Sequence, residues 1–121
     1  MNIDQKTPYG GIGISLEAIA MVAGNAASEC YGVVGLASKT RNLVDNVALL
    51  LKSSEFSKGV AIRRDAKKGY EVDIYIIGAA GVKLSEVLSE VQKKVKYDLE
   101  RTFSMKFSAV NVYLQDVKER E

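Results

Sequence analysis

The chain has 121 residues with 17 basic and 15 acidic side chains, a formal charge of +2, and 47% apolar residues. That length is one ordinary domain able to bury roughly 65% of its unfolded surface, and the near balance of charge argues against the basic patch on which nucleic-acid binding usually rests. Histidine is absent and Cys30 stands alone, which removes Ser-His and Cys-His nucleophile pairs, histidine metal ligands and an internal disulfide.

Residues 1–9 are polar and carry the lone proline, Pro8, so they read as a flexible arm or an edge extension. Ile12 and Ile14 alternate with Gly11 and Gly13 as a short strand that allows close backbone approach. Ser15 is a natural N-cap and Glu17 falls in the first turn of a helix expected over about Leu16–Glu29. Its stripe of Ile19, Val22, Ala23, Ala26 and Cys30 follows helical spacing, and the alanines let another element pack closely. Gly24 costs about 1 kcal/mol against alanine in a helix interior, which implies a tight contact there. Tyr31–Ala37 fits either a strand or a bent loop. Leu43, Val44, Val47, Leu50 and Leu51 have helical spacing over Arg41–Lys52, and Ser53–Lys58 reads as a polar connector.

The second half is more regular. Val60 and Ile62, then Val72, Ile74 and Ile76, alternate with polar residues around the glycine-ended turn Asp65–Gly69, a hairpin signature. Leu84, Val87, Leu88, Val91, Val95 and Leu99 form one apolar helical stripe, and Glu90 with Lys94 has the spacing of a helical ion pair. Val110, Val112 and Leu114 alternate in a last strand, and residues 118–121 form a polar tail. The fold class expected is α+β, a two-layer α/β sandwich in which a β-β-α-β unit packs with the N-terminal β-α segment as one domain over 10–117. A right-handed crossover through the long helix would allow the last strand to run parallel to its neighbour.

No segment supplies a catalytic set. Glu71 and Asp73 share a strand face, but a hard cation needs more convergent oxygens, and Arg63, Lys67 and Lys68 lie nearby in the sequence. The run Gly10-Gly11-Ile12-Gly13 lacks the lysine and hydroxyl residue of a P-loop. Gly32-Val33-Val34-Gly35 has the GxxG spacing of a KH clamp, yet its centre is two valines, and an apolar turn entering the core is the plainer reading. Tyr75 and Tyr113 fall on neighbouring strands of the polar sheet face with Arg63, Asp73 and Asn111. Such aromatics stack bases in RNA recognition motifs, but the basic-glycine-aromatic run is missing, so a protein-docking face is the stronger functional reading. Leu43, Val47 and Leu50 are either buried or offered to a partner. No apolar run approaches the roughly 18 residues of a spanning helix, and the sequence opens on no secretory leader, so a cytoplasmic protein without a direct membrane span is expected.

Two long stretches carry a recognisable order of motifs. The first is Gly13-Ile14-Ser15, Ile19-Ala20, Ala26-Ala27 and Tyr31–Leu36. The second is Gly59-Val60, Val72–Ile77, Gly81–Leu84, Val91–Lys96 and Val110–Tyr113. Together they resemble the alkaline shock protein family, the small envelope stress proteins of Gram-positive bacteria. The resemblance covers about Tyr9 to Val117, and the compact length is similar to a short subfamily often encoded beside a fatty-acid kinase. It implies a non-enzymatic, cofactor-free, self-associating protein in envelope stress and homeostasis. It also implies that some members reach the inner membrane face through a membrane-associated or lipid-metabolism protein. Two alternatives stand beside it: a KH-like or sheet-face RNA binder, and an accessory regulator of that kinase. The chain departs from the family pattern at Gly78–Gly81, where relatives are more polar, and at Phe103–Phe107, where a glycine is usual.

Overall fold

The computed structural model describes residues 2–7, 10–39, 50–65 and 69–119. Strand β1 (Asn2–Thr7) pairs antiparallel with β2 (Gly10–Ser15), so residues expected as an arm or edge extension form one side of a hairpin. Ser15 ends β2 and caps helix α1 (Leu16–Ser28), its side chain accepting the Ala18 N–H at 3.1 Å. Gly32, in a left-handed turn, leads into β3 (Val33–Leu36). Beyond 40–49 comes a 3₁₀ segment (Ser53–Gly59), then β4 (Val60–Asp65), β5 (Gly69–Ala79), helix α2 (Leu84–Phe103) and β6 (Phe107–Lys118).

The fold is α+β, and β5 organises its four-stranded sheet. One edge of β5 carries β4 along Gly69–Ile74 and then β3 along Ile76–Gly78, both antiparallel. The other edge carries β6 in parallel from Tyr70 to Ala79, the crossover being α2. Irregularities in the β5–β6 register at Ser108 and Gln115 have the character of bulges, which sharpen local twist.

Period-two alternation sends Val60, Val72, Ile74, Ile76 and Val110 to the helix side of the sheet. There they join Ile19, Ala23 and Ala27 of α1 and Val87, Val91, Val95 and Leu99 of α2 in one core. The small α1 side chains let the two helices pack on each other as well as on the strands.

The segment expected as a polar connector also enters this core. Phe56, on the 3₁₀ segment, is buried, and a Cβ on Gly24 would fall inside its ring. This is the close contact that a glycine in mid-helix implied.

The helix expected over Arg41–Lys52 falls mostly outside the described residues, Leu43 and Val47 included. Its last turn is not helical: Leu50 bridges Ala37, and the Leu51 N–H donates to the Leu36 carbonyl at 2.9 Å. Helix α2 stops at Ser104, a left-handed residue with φ 52°, after which Met105 and Phe107 turn back into the core. The Phe107 N–H donates to the Glu100 carboxylate at 3.0 Å and fixes that exit.

Candidate functional site

Opposite the helices, the sheet carries the residues that alternation assigned to a polar face. Asp73 is paired across β5 with Ala61 and Asn111, and Tyr75 with Tyr113. Asp73 is 7% exposed, unusual for a carboxylate, and its Oδ1 accepts from Arg63 Nη2 at 3.0 Å and from Asn111 Nδ2 at 2.9 Å. The same guanidinium nitrogen lies 2.8 Å from Glu71. Hydrogen bonding and attraction from Asp73 hold Arg63 charged well beyond its ordinary range. A buried acid is tolerated when it is paired and hydrogen-bonded in this way.

Next along the strands, the rings of Tyr75 and Tyr113 stack with centroids 5.0 Å apart and planes 20° apart. Tyr113 is 43% exposed while Tyr75 is half-buried. Burial raises the Tyr75 phenol, and the neighbouring Asp73 charge adds to that shift, so it stays protonated at neutral pH. Beyond the tyrosines the face closes: Ile77 and Ala37 are fully buried with Val34 against them. The polar face therefore presents a stacked aromatic pair beside a cluster in which one guanidinium serves two carboxylates.

The Gly32–Gly35 segment has a different geometry from a phosphate clamp. Gly32 alone occupies the turn, while Val33, Val34 and Gly35 lie in β3, with Val33 and Gly35 buried. A Cβ on Gly35 would strike the Leu50 side chain, so the small residue makes room for a neighbour from its own chain. Leu50 is itself 51% exposed.

A second feature has no counterpart in the sequence reading. A cavity of about 350 Å³ opens where the turn after α1 meets the turn before α2, lined by Cys30, Tyr31, Val82 and Val87 with charged residues at the rim. Cys30, expected on the helical stripe, lies two residues past the end of α1; it donates weakly to the Ala26 carbonyl, and desolvation raises its thiol above the ordinary value. At the rim Lys94 pairs with Asp98 at 3.3 Å and Glu29 at 3.5 Å, in place of the expected Glu90. The Asp98 carboxylate is the main cause that keeps Lys94 charged above its usual range. The one signal in the sequence was a tyrosine followed by glycine at a helix exit.

Among the described residues, no group of three or more cysteine, aspartate or glutamate side chains is placed to hold a metal ion, and no helix is long and apolar enough to cross a membrane.

A profile of the alkaline shock protein 23 family, whose description is a cell envelope-related function, matches residues 4–119. The chain belongs to that family. It is 45% identical over 118 residues to the uncharacterized protein YloU of Bacillus subtilis, covering 98% of this chain and 97% of the relative. It is 39% identical over 118 residues to the uncharacterized protein Spy1614 of Streptococcus pyogenes, covering 98% and 96%. Among solved structures, a variant of the "MamM CTD" in a zinc form overlays with a TM-score of 0.47 at 15% identity, over 88% of this chain and 87% of that one. That overlay is too loose to bear on function. The family membership agrees with the resemblance carried by Gly13–Leu36 and Gly59–Tyr113.

Proposed function

We propose that this chain is a non-enzymatic interaction protein of cell-envelope homeostasis, working from the cytoplasm through self-association and a membrane-associated or lipid-metabolism protein partner. The observation that carries the reading is the polar sheet face. Asp73, the buried acid there, spends one oxygen on Arg63 and Asn111, which suits a structural role better than proton transfer. Beside it, Tyr113 offers an exposed ring supported from below by Tyr75. A rigid aromatic platform next to satisfied charges is the composition of a protein-docking patch.

The test is a photoreactive residue placed at Tyr113 in living cells, with adducts identified by mass spectrometry. Adducts with membrane or lipid-metabolism proteins are expected. An absence of protein adducts, together with a purified chain that remains a monomer, overturns the proposal. Single-stranded RNA titrated at low salt should show no binding, because phosphate contacts are strongest there.

A further inference from the structure

We propose that the outer edge of β6 pairs with the same edge of a second copy, the two strands running antiparallel across a two-fold axis at Val112 and joining their sheets into one. This gives a surface to the self-association in the reading above and so rests on that reading, but its grounds are strand geometry.

Strand β6 pairs with β5 alone, so its other side is a sheet edge. Gln92 Nε2, reaching over from α2, donates to the Val110 carbonyl at 2.8 Å and marks which residues face outward. Along a strand the main-chain groups alternate between its two sides, so Val110, Val112 and Leu114 turn theirs away from β5. The outward groups of Val112 and Leu114 take no hydrogen bond from any described residue. Such a row of unpaired donors and acceptors is a template for another extended main chain.

The guards that usually block such pairing are missing here. From Phe107 to Gln115 the strand has no charge, proline or glycine. Its irregularities at Ser108 and Gln115 bracket the regular stretch and do not interrupt it. The opposite edge of the sheet is guarded. Leu50 bridges Ala37, the Leu51 N–H takes the Leu36 carbonyl, and the Lys39 ammonium donates to the Val60 carbonyl at 3.1 Å. With one open edge in each copy, pairing closes at two copies.

The strand's own image is the occupant its sequence fits. A two-fold axis at Val112 uses every outward group of the regular stretch in both copies. It sets Val112 opposite Val112 and Val110 opposite Leu114 on the helix side, and Asn111 opposite Tyr113 on the polar side. Apolar residues thus meet apolar ones, and no charge faces a charge along the stretch. Val112 and Leu114 are half-buried, so a second strand would remove their remaining apolar surface from water. Above Val112 a hollow of about 130 Å³ is lined by Leu88, Ser89 and Gln92, an uncharged border on an otherwise charged helix.

The test has two arms. In a mixture of isotopically labelled and unlabelled wild-type chains, the Asn111 Hα of one copy should show a nuclear Overhauser contact with the Tyr113 Hα of the other. Those residues form the close, non-hydrogen-bonded pair of this register. Protection of the Val112 and Leu114 amides from exchange should rise with concentration. This arm needs no variant to fold. In the second arm, sedimentation velocity over a concentration series compares wild type with Val112→Pro and Ser89→Arg, each checked for an unchanged circular dichroism spectrum. Val112→Pro removes an outward N–H and no bond of the β5–β6 ladder, and should weaken the dimer about 30-fold or more. Ser89→Arg, at an exposed helix position, puts a charge over the hollow and should weaken it too.

A dimer that lacks the Asn111–Tyr113 contact and is indifferent to both variants overturns this edge and leaves self-association standing. Cross-links from a photoreactive residue at position 89 that reach only other proteins also overturn it. A wild-type chain that is monomeric at every concentration overturns both.

Discussion

Val72, Ile74 and Ile76 of β5 reach the helix-facing core with no residual exposure, while their chain neighbours Asp73 and Tyr75 look the other way into a polar, half-open layer. On the first side, stability comes from removing apolar area from water, which is non-directional and roughly proportional to area. On the second, it comes from a few directed contacts: a carboxylate held by two donors and a pair of stacked rings. One strand thus separates a side that must stay sealed from a side able to exchange its contacts with another molecule.

That contrast sets a ranking. Ile74→Ala empties a fully buried site at the centre of the sheet and should cost about 2–5 kcal/mol in urea unfolding. A cost below that of any polar-face change would break the distinction. Asp73→Ala leaves the half-buried Asn111 amide without its carboxylate acceptor and should cost about 1–3 kcal/mol. Tyr113→Ala removes a half-exposed ring from a cross-strand stack and should cost about 0.5–1.5 kcal/mol. If the face serves a partner, the same change should abolish in-cell adducts while the fold survives. At the exposed end of α2, Ser104→Gly relieves a left-handed non-glycine residue and should raise stability by several tenths to about 1 kcal/mol. That variant supplies a baseline in which stability moves and interaction does not.

The β-β-α-β half could be read from the sequence because each element has one period: two for Val72–Ile76 and 3.6 for Leu84–Leu99. The parity of Arg63, Asp73 and Asn111 also put them on a shared face, and the ladder brings them within hydrogen-bond reach. What stayed hidden has no local period. Phe56 is a lone aromatic in a polar run, and only the neighbouring Gly24 reveals where it goes. Strand β1 is polar and owes its place to main-chain pairing with the glycine-rich β2. The i,i+4 rule assigned Glu90 to Lys94, but Asp98 on its other side and Glu29, the residue that caps the end of α1, compete successfully for the ammonium group. The Tyr31 cavity is built from the turn after α1 and from the start of α2 with the residues before it, far apart in the chain, so no sequence window contains it.

Strands β3 and β4 follow one another along the same edge of β5, and between Ile74 and Ile76 that edge is held, among the described residues, only by the Ala37 N–H, which donates to the Tyr75 carbonyl at 2.9 Å. Each of these two strands holds only part of β5, whereas β6 runs beside it from Tyr70 to Ala79. Amide exchange should therefore be fastest in the short β3, intermediate in β4 and slowest where β5 meets β6.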